Sequence, residues 1–257
     1  MAGMPCDLTG HVALVTGGNG GIGLGMARAL AEAGADVAIW GTSEAKNAAA
    51  LEALRATGRR VVATRCDVRD EAQVEAAFAE AVGALGKVDS VFANAGVSGS
   101  TQKPFTEKTL DEWRAVLAVN LDGAFLTLRE GARHLVDRGE GGSLVAVSST
   151  SAIHGAPRNE PYAVSKTGLL ALVRSLAVEL ARYGIRCNAL LPGWTETDLT
   201  AAGRQNERFL ANTTYRTPAR RWGRPEDFGP AAVYLADPRW VFHTGDAMVI
   251  DGGYTVF

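Results

Sequence analysis

Seven short apolar runs alternate with alanine-rich stretches along this chain, and that alternation is the strongest constraint on its fold. Several of the runs read as continuous hydrophobic segments rich in β-branched residues, and they begin at positions 11, 36, 60, 88, 143, 185 and 247. Strands that are apolar on both faces are typical of a parallel sheet covered by helices on both sides. The pattern therefore predicts an α/β fold with about seven parallel strands, joined by right-handed crossovers.

The helices are expected between these strands. Their patterns run at about 22–33, 44–57, 70–84, 109–136, 160–183 and 225–236. Thr109 and Glu112 have the spacing of a capping box, and Pro225 suits the first turn of a helix. Residues 193–224 are polar and show no strand pattern, so we expect an irregular loop there that acts as a substrate lid. No linker or repeat divides the chain, and we expect 1–257 to form a single domain.

Composition excludes several classes of function. The chain has 257 residues, of which 47% are hydrophobic and 21% charged, and its net charge is −2. Acids and bases are interspersed, so we expect no nucleic-acid partner, and no apolar run approaches the roughly 20 residues of a membrane span. Cys6, Cys66 and Cys187 have no metal-ligand spacing and suit a reducing compartment. With no signal-peptide pattern at the N-terminus, we expect a cytoplasmic protein without a metal site.

A glycine-rich stretch, "TGGNGGIG" at 16–23, joins the first strand to the first helix. Glycines allow a tight turn and let the backbone approach a pyrophosphate, which then lies at the positive end of the helix. Such a stretch by itself is also explained by a turn that needs positive φ. Its position between the first strand and the first helix favours a dinucleotide site in a Rossmann-type, doubly wound sheet.

Further motifs follow the glycine loop in a fixed order. They are "NAG" at 94–96, Asn120 in "VNLDG", a serine pair at the end of the fifth strand, Tyr162-x-x-x-Lys166, "PG" at 192–193 and "DGG" at 251–253. In these motifs, and over essentially its whole length, the chain resembles the short-chain dehydrogenases/reductases. The resemblance implies an oxidoreductase that transfers a hydride between NAD(P) and a small-molecule secondary alcohol or ketone.

Tyr162 and Lys166 have the spacing of one helical turn, which places them on one face. Hydride exchange at a carbonyl or alcohol carbon requires that the substrate oxygen gain or lose a proton. A phenol with a pKa near 10 is a poor base, and a cation one turn away is expected to lower that pKa. The pair therefore indicates that Lys166 makes Tyr162 usable as the proton-transfer group.

The resemblance supplies the remaining site residues. The implied catalytic group is Asn120, Ser149, Tyr162 and Lys166, with Ser149 favoured over Ser148 as the substrate-orienting serine by its spacing from Tyr162. The expected cofactor-binding residues are Gly17, Asn19, Gly21, Ile22, Gly23, Thr42, Asp67, Val68, Asn94, Ala95, Gly96, Tyr162, Lys166, Pro192, Gly193, Thr195 and Thr197. The substrate candidates, chosen by position, are Ser151, His154, Asn159 and Trp194.

Other functions remain open. A 3-oxoacyl thioester reductase using NADPH would need a basic rim, which Arg129 and Arg133 could supply, although arginines one turn apart are also typical of a solvated face. A non-catalytic dinucleotide sensor should have lost the proton-transfer groups, and this chain keeps them. A sugar-nucleotide epimerase or dehydratase needs a different glycine spacing and a larger C-terminal domain.

The cofactor preference depends on the end of the second strand, "AIWGTSEAK". In this fold an acid there accepts the ribose hydroxyl of NAD, while an arginine there receives the 2′-phosphate of NADP. Gly41 and Thr42 stand at those positions, and Gly20 adds no cation in the glycine loop. We favour NAD, because a 2′-phosphate would lack charge-assisted hydrogen bonds. The backbone amides of Thr42 and Ser43 keep NADP open.

The two longest predicted helices suggest an assembly. The stretches 109–136 and 160–183 carry apolar residues in addition to a single core-facing stripe, for example Leu169, Leu170, Leu172, Val173 and Leu176. Exposed apolar surface of that size usually marks an interface. Together with the resemblance, this predicts a homotetramer.

Overall fold

The fold was analysed in a computed structural model that describes residues 6–99 and 103–257. Within these residues, seven parallel strands form one sheet in the order β3-β2-β1-β4-β5-β6-β7. The strands are β1 (Val12–Thr16), β2 (Asp36–Gly41), β3 (Val61–Arg65), β4 (Ser90–Ala93), β5 (Gly142–Val147), β6 (Ile185–Pro192) and β7 (Ala247–Ile250). The predicted α/β class and doubly wound parallel sheet are confirmed.

From β1, the strands β2 and β3 are added on one side of the sheet and β4 to β7 on the other, so the strand order reverses between β1 and β4. These two strands pair with Ala13 opposite Ser90. On the other side of β1, Val12 is opposite Asp36 of β2. A crevice opens at such a point because the connections leave the carboxyl ends of the two strands toward opposite faces. The topology therefore places the candidate site after Thr16 and Ala93.

Helices cover both faces of the sheet. They are α1 (Gly21–Glu32), α2 (Glu44–Arg55), α3 (Glu71–Leu85), α4 (Leu110–Leu117), α5 (Gly123–Arg138), α6 (Glu160–Leu180), α7 (Ala201–Gln205), α8 (Glu207–Arg216) and α9 (Gly229–Ala236). Thr109 caps α4 in a capping box with Glu112, as the spacing predicted. Where one long helix was expected at 109–136, a π-helical turn at Ala118–Asp122 separates α4 from α5.

The core has two layers, one on each face of the sheet. Neighbouring residues of a strand contribute to different layers, because successive side chains point to opposite faces. Leu14 packs with Trp40 and Phe78 on one face, while Val15 packs with Met26 on the other. The continuous apolar runs of the sequence are thus explained by burial on both sides.

The segment 193–224 is more regular than expected. It contains α7 and α8, so the expectation of an irregular loop is wrong. Asn206 begins α8 by accepting a hydrogen bond from Phe209 N at 3.0 Å. The ring of Phe209 packs edge-on against Trp194, with the ring centroids 5.0 Å apart. Trp194 also stacks on Trp222 at 5.4 Å. These aromatic contacts bury one side of a polar stretch and explain why it becomes helical.

Length and apolar character were also assessed for every helix in the described ranges. None of those helices is long and apolar enough to cross a membrane.

Candidate active site

A cleft of about 350 Å³ opens at the carboxyl ends of the strands, at the reversal between β1 and β4. The predicted residues that it brings together are Gly17, Asn19, Gly21, Ile22, Gly23, Asn94, Ala95, Gly96, Ser149, Tyr162, Lys166, Pro192, Gly193, Thr195 and Thr197. The glycine loop lies along one side and the Tyr162–Lys166 pair along another. Residues from five separate parts of the chain therefore meet in one cleft.

The glycine loop is shaped for close approach of a ligand to the backbone. Gly17 and Gly21 have positive φ values of 64° and 49°, which glycine adopts without strain. A Cβ on Gly23 would lie 2.3 Å from Gly17 O, so no larger residue fits there. Gly20 precedes α1 without a side-chain cap, and the first turn holds no acidic residue. The first amides of α1 thus present a positive end, which fits a pyrophosphate.

Asn94 ties the glycine loop to the end of β4. Its side-chain amide donates to Thr16 O at 2.9 Å and to Gly17 O at 3.4 Å. The Thr16 hydroxyl in turn accepts hydrogen bonds from the backbone amides of Asn94 and Ala95, both at 3.0 Å. These contacts hold the two strand ends at the reversal point together.

Asn120 lies in the π-helical turn and is fully buried, so it is not a surface residue of a regular helix. Its side-chain oxygen accepts from Val97 N at 2.8 Å, and its amide donates to Val97 O at 3.0 Å. The amide also donates to Ser165 Oγ at 3.2 Å, and Ser165 donates to Tyr162 O at 2.7 Å. Asn120 therefore connects the segment after β4 to the helix that carries Tyr162 and Lys166.

The two serines that follow β5 have different partners. Ser148 donates its hydroxyl hydrogen to Lys166 O at 2.7 Å, which commits it to the backbone of α6. Ser149 Oγ accepts from Ser151 N at 3.1 Å and is also hydrogen-bonded to the phenol of Tyr162. Ser149 is therefore the serine of this pair that contacts the Tyr162 phenol.

Lys166 and Tyr162 lie close together in the lining of the cleft, where Lys166 is buried and Tyr162 half-buried. Lys166 Nζ donates to Val147 O at 2.8 Å and lies 5.6 Å from the centroid of the Tyr162 ring. Burial lowers the pKa of Lys166 to about 8. Burial also raises the pKa of Tyr162, and the hydrogen bond to Ser149 opposes that rise.

The sequence predicted that Lys166 lowers the pKa of Tyr162, but in the protein without a cofactor that pKa is raised. Both groups lose their hydration in the same crevice, and desolvation favours the neutral form of each. A phenol that stays protonated is suited to donate a proton. The lysine, with a pKa near neutrality, is suited to exchange one.

Some predicted residues lie outside the cleft lining. Thr42 is exposed between β2 and α2. Asp67 pairs with Arg69, with Nη2 and Oδ2 2.5 Å apart. Asp67 does not cap α3, because the N-cap residue is Asp70, which accepts from Gln73 N at 3.2 Å. The others outside the lining are Val68, Asn120, Ser151, His154, Asn159 and Trp194.

The cleft also contains an ion pair that the sequence did not suggest. Lys46 Nζ of α2 lies 2.6 Å from Asp198 Oδ2, at the start of the segment that leads into α7. Both residues line the cleft beside the glycine loop. They are 152 positions apart, and neither belongs to a recognisable motif. The ion pair links α2 to the expected lid.

Known proteins resemble this chain over nearly its full length. A family model described as enoyl-(acyl carrier protein) reductase matches residues 17–255. An L-rhamnose 1-dehydrogenase (NAD(P)(+)) of Sphingomonas sp. (strain SKA58) is 36% identical over 250 residues, which cover 97% of this chain and 98% of the relative. A 5-keto-D-gluconate 5-reductase of Escherichia coli (strain K12) is 34% identical over 250 residues, with 97% of each chain covered.

A solved structure supports the same relationship. The gluconate 5-dehydrogenase from Burkholderia cenocepacia J2315, in complex with NADP and tartrate, is 36% identical to this chain. It superposes with a TM-score of 0.92, and 98% of each chain is covered. The fold thus agrees over nearly the whole chain with that of a protein whose structure contains NADP.

Proposed function

The chain belongs to the short-chain dehydrogenase/reductase family, and from this premise we propose that Tyr162 is the proton-transfer group of an NAD(P)-dependent oxidoreductase. The enzyme acts on a secondary alcohol or its ketone. The observation that carries the assignment is that Ser149, Tyr162 and Lys166 line the same cleft as the glycine loop. A nicotinamide held there supplies or accepts the hydride.

Ser149 and Tyr162 act on the substrate oxygen in this proposal. The two hydroxyls are hydrogen-bonded to each other, so a substrate oxygen that displaces this bond can accept one hydrogen bond from each. During reduction Tyr162 donates its proton to that oxygen while Ser149 stabilises the developing charge. During oxidation the proton returns to Tyr162. Burial, which raises the pKa of Tyr162, keeps the proton available in the resting enzyme.

Lys166 and Asn120 support the proton transfer. Lys166, with a pKa of about 8, accepts or releases a proton near neutral pH and so can restore Tyr162. Asn120 holds Val97 and Ser165 in fixed positions, which orients the first turns of α6. A π-helical turn at a buried asparagine commonly marks a functional position. We assign Asn120 to positioning and Lys166 to proton exchange.

The replacement Tyr162→Phe tests the proposal. We expect kcat to fall by about 10² to 10⁴, the usual contribution of general acid–base catalysis, while dinucleotide binding is retained. Tyr183→Phe is the matched control, because Tyr183 is 36% exposed and does not line the cleft. Retention of more than roughly a tenth of kcat in Tyr162→Phe would refute the assigned role.

The thioester alternative gains no support from the arginines that suggested it. Arg129 pairs with Glu71 at 2.5 Å, and Arg133 pairs with Glu130 at 2.6 Å. Both arginines are thus neutralised by acids, and neither lines the cleft. A small uncharged alcohol or ketone remains the better substrate.

NAD is the proposed preference over NADP. The end of β2 is filled by neutral amides, since Asn19 donates to Asn47 at 2.7 Å and a Cβ on Gly41 would lie 2.0 Å from Asn19 Nδ2. The cations nearby already have acidic partners. Lys46 pairs with Asp198 at 2.6 Å, and Arg65 lies 3.9 Å from Glu44. To bind a 2′-phosphate, Lys46 or Arg65 would have to leave its acidic partner.

Comparison of kcat/KM for NAD and NADP on one substrate tests this preference. We expect NAD to be used several-fold better, and we expect Lys46→Met to change kcat/KM for NAD little. A clear preference for NADP that Lys46→Met abolishes would show that Lys46 leaves Asp198 for the phosphate. That result would overturn the NAD assignment while leaving the oxidoreductase assignment intact.

The lid, the assembly and the cellular location complete the proposal. We propose that 193–224 covers the substrate, supported by the Lys46–Asp198 ion pair at its start. We also propose a homotetramer in the cytoplasm. A largely apolar groove between α5 and α6 supports the assembly, with Phe125 45% exposed at its edge. A light-scattering mass near that of one chain, 27.0 kDa, would contradict it.

A further inference from the structure

The charges at the glycine-loop end of the cleft come from one ion pair. Among the described residues that line the cleft, Lys46, Lys166 and Asp198 are the charged ones, and Lys166 lies beside Tyr162. Lys46 Nζ lies 2.6 Å from Asp198 Oδ2, and the two side chains are 57% and 88% exposed, so the pair faces solvent. Its hydrogen bond holds the pKa of Asp198 below the usual value, so the carboxylate is ionised at neutral pH.

Lys46 lies next to the end of β2. Ser43 caps α2 and accepts from Lys46 N at 3.4 Å, which places Lys46 in the first turn of that helix. The next residue, Asn47, donates to Gly41 O at 3.0 Å and holds this turn against the last residue of β2. In a Rossmann-type sheet the group at the ribose 2′ position is recognised at that strand end. Of the two lysines that line the cleft, Lys46 is therefore the one placed to meet a 2′-phosphate.

The end of β2 itself carries no charge that could choose between the cofactors. A Cβ on Gly41 would lie 2.0 Å from Asn19 Nδ2 and 2.6 Å from Asn47 Oδ1, so neither an acid nor an arginine fits there. The two amides are committed, because Asn19 donates to Asn47 and Asn47 donates to the carbonyls of Gly41 and Thr64. Thr42, which follows, is neutral. A choice based on charge must therefore come from side chains that approach this strand end from elsewhere.

Asp198 approaches from the segment that follows β6. A Cβ on Gly21 would lie 3.2 Å from Thr197 Cγ2, so the residue before Asp198 packs over the glycine loop. Asp198 then begins the short helical turn Asp198–Thr200, which Thr197 caps. A 2′-phosphate carries roughly two negative charges at neutral pH and binds well only with a cationic partner. Asp198 both occupies the ammonium group of Lys46 and adds a charge that repels a phosphate.

We propose that Asp198 is a specificity-determining residue that disfavours NADP by holding Lys46. The ion pair stays intact beside NAD, whereas Lys46 can meet a 2′-phosphate only by leaving Asp198, which then repels the phosphate. The inference rests on the proposed function, because it requires a dinucleotide in the cleft. It deepens that function by assigning the cofactor choice to the segment 193–224 instead of β2. Binding of NADP would also release the link between this segment and α2.

The test measures equilibrium binding of NADH and NADPH through the fluorescence of the reduced nicotinamide. We expect Asp198→Asn to bind NADPH about 5-fold more tightly than the wild type, the upper range for one exposed ion pair, while the Kd for NADH changes less than about two-fold. The double variant Lys46→Met/Asp198→Asn should lose this gain. Glu196→Gln is the matched control, because it removes the same charge from the same segment. Glu196 lies 3.9 Å from Arg204 and does not line the cleft.

Three results would overturn the inference. The first is an unchanged Kd for NADPH in Asp198→Asn, and the second is an equal gain in Glu196→Gln, which would reflect overall charge. The third is a gain that persists without Lys46, as it would if Arg65, which donates to Thr42 O at 3.4 Å, received the phosphate. The Kd values are measured without turnover, so they decide the inference even if no alcohol or ketone is converted. If neither dinucleotide binds to the wild type, the proposed function fails and the inference fails with it.

Discussion

The replacement Lys166→Met tests whether burial lowers the pKa of Lys166 in the folded protein. Lys166 is 4% exposed, and burial lowers its pKa from 10.5 to about 8. In the unfolded chain the side chain regains its ordinary pKa of about 10.4. Between these two values the unfolded chain holds a proton that the native protein has released. The free energy of unfolding therefore rises as the pH increases from about 8 to about 10.

The size of the effect follows from the difference in pKa. A fall in the pKa of Lys166 from 10.5 to about 8 corresponds to about 3 kcal/mol. Below pH 8, where the buried lysine is charged, the free energy of unfolding is lower by this amount than it would be with a neutral lysine. Methionine carries no charge and avoids this penalty, but it also loses the hydrogen bond to Val147 O, worth about 1 kcal/mol. We expect cofactor-free Lys166→Met to be about 2 kcal/mol more stable than the wild type at pH 7, which raises Tm by roughly 4–8 °C.

The assay is thermal unfolding of the two cofactor-free proteins between about pH 7 and pH 10. The Tm difference should shrink steadily as the pH rises and should vanish or change sign near pH 10. Tyr162 is present in both proteins, so its titration affects both Tm values and largely cancels in their difference. A Tm difference that stays constant with pH would refute the reasoning, since it would mean that Lys166 keeps its ordinary pKa in the crevice.

Two further pairs of variants distinguish local roles. Ser149→Ala should lower kcat about 10²-fold with little change in Tm. Ser148→Ala should lower Tm, because it removes the buried hydrogen bond from Ser148 to Lys166 O, and equal kcat losses in the two variants would contradict the assignment. Gly23→Ala should abolish the rise in Tm that NAD produces in the wild type, because its Cβ would lie 2.3 Å from backbone, while Gly20→Ala, with open space around it, should keep that rise. Loss of the rise in both variants would show that the contact at Gly23 is not the cause.

The sequence by itself determined the class of fold and the order of its elements. Apolar runs at strand length and helical patterns between them are local signals, because burial on two faces leaves a continuous apolar strand. The capping box at Thr109 and the glycine loop at 16–23 were likewise readable, since their chemistry lies within a few residues. The spacing of Ser149 from Tyr162 also selected the serine that hydrogen-bonds to Tyr162.

The site could be predicted only in part. Fifteen of the predicted residues meet in the cleft, and these came from motifs. Asn120 was expected among the catalytic residues, and it lies in the π-helical turn, outside the lining of the cleft. Its burial, and its link through Ser165 to Tyr162, could not be seen in the sequence, because they depend on how α4 and α6 pack.

Only the tertiary structure decided the charges and the long-range contacts. Lys46 and Asp198 form an ion pair across 152 positions, and Phe209 reaches the two tryptophans that make the segment 193–224 helical. The pKa of Tyr162 rises where the lysine spacing alone predicted a fall. The physical reason is that desolvation depends on everything that surrounds a group in space. A linear pattern records which groups are neighbours on a helix, but not how much water the folded protein leaves them.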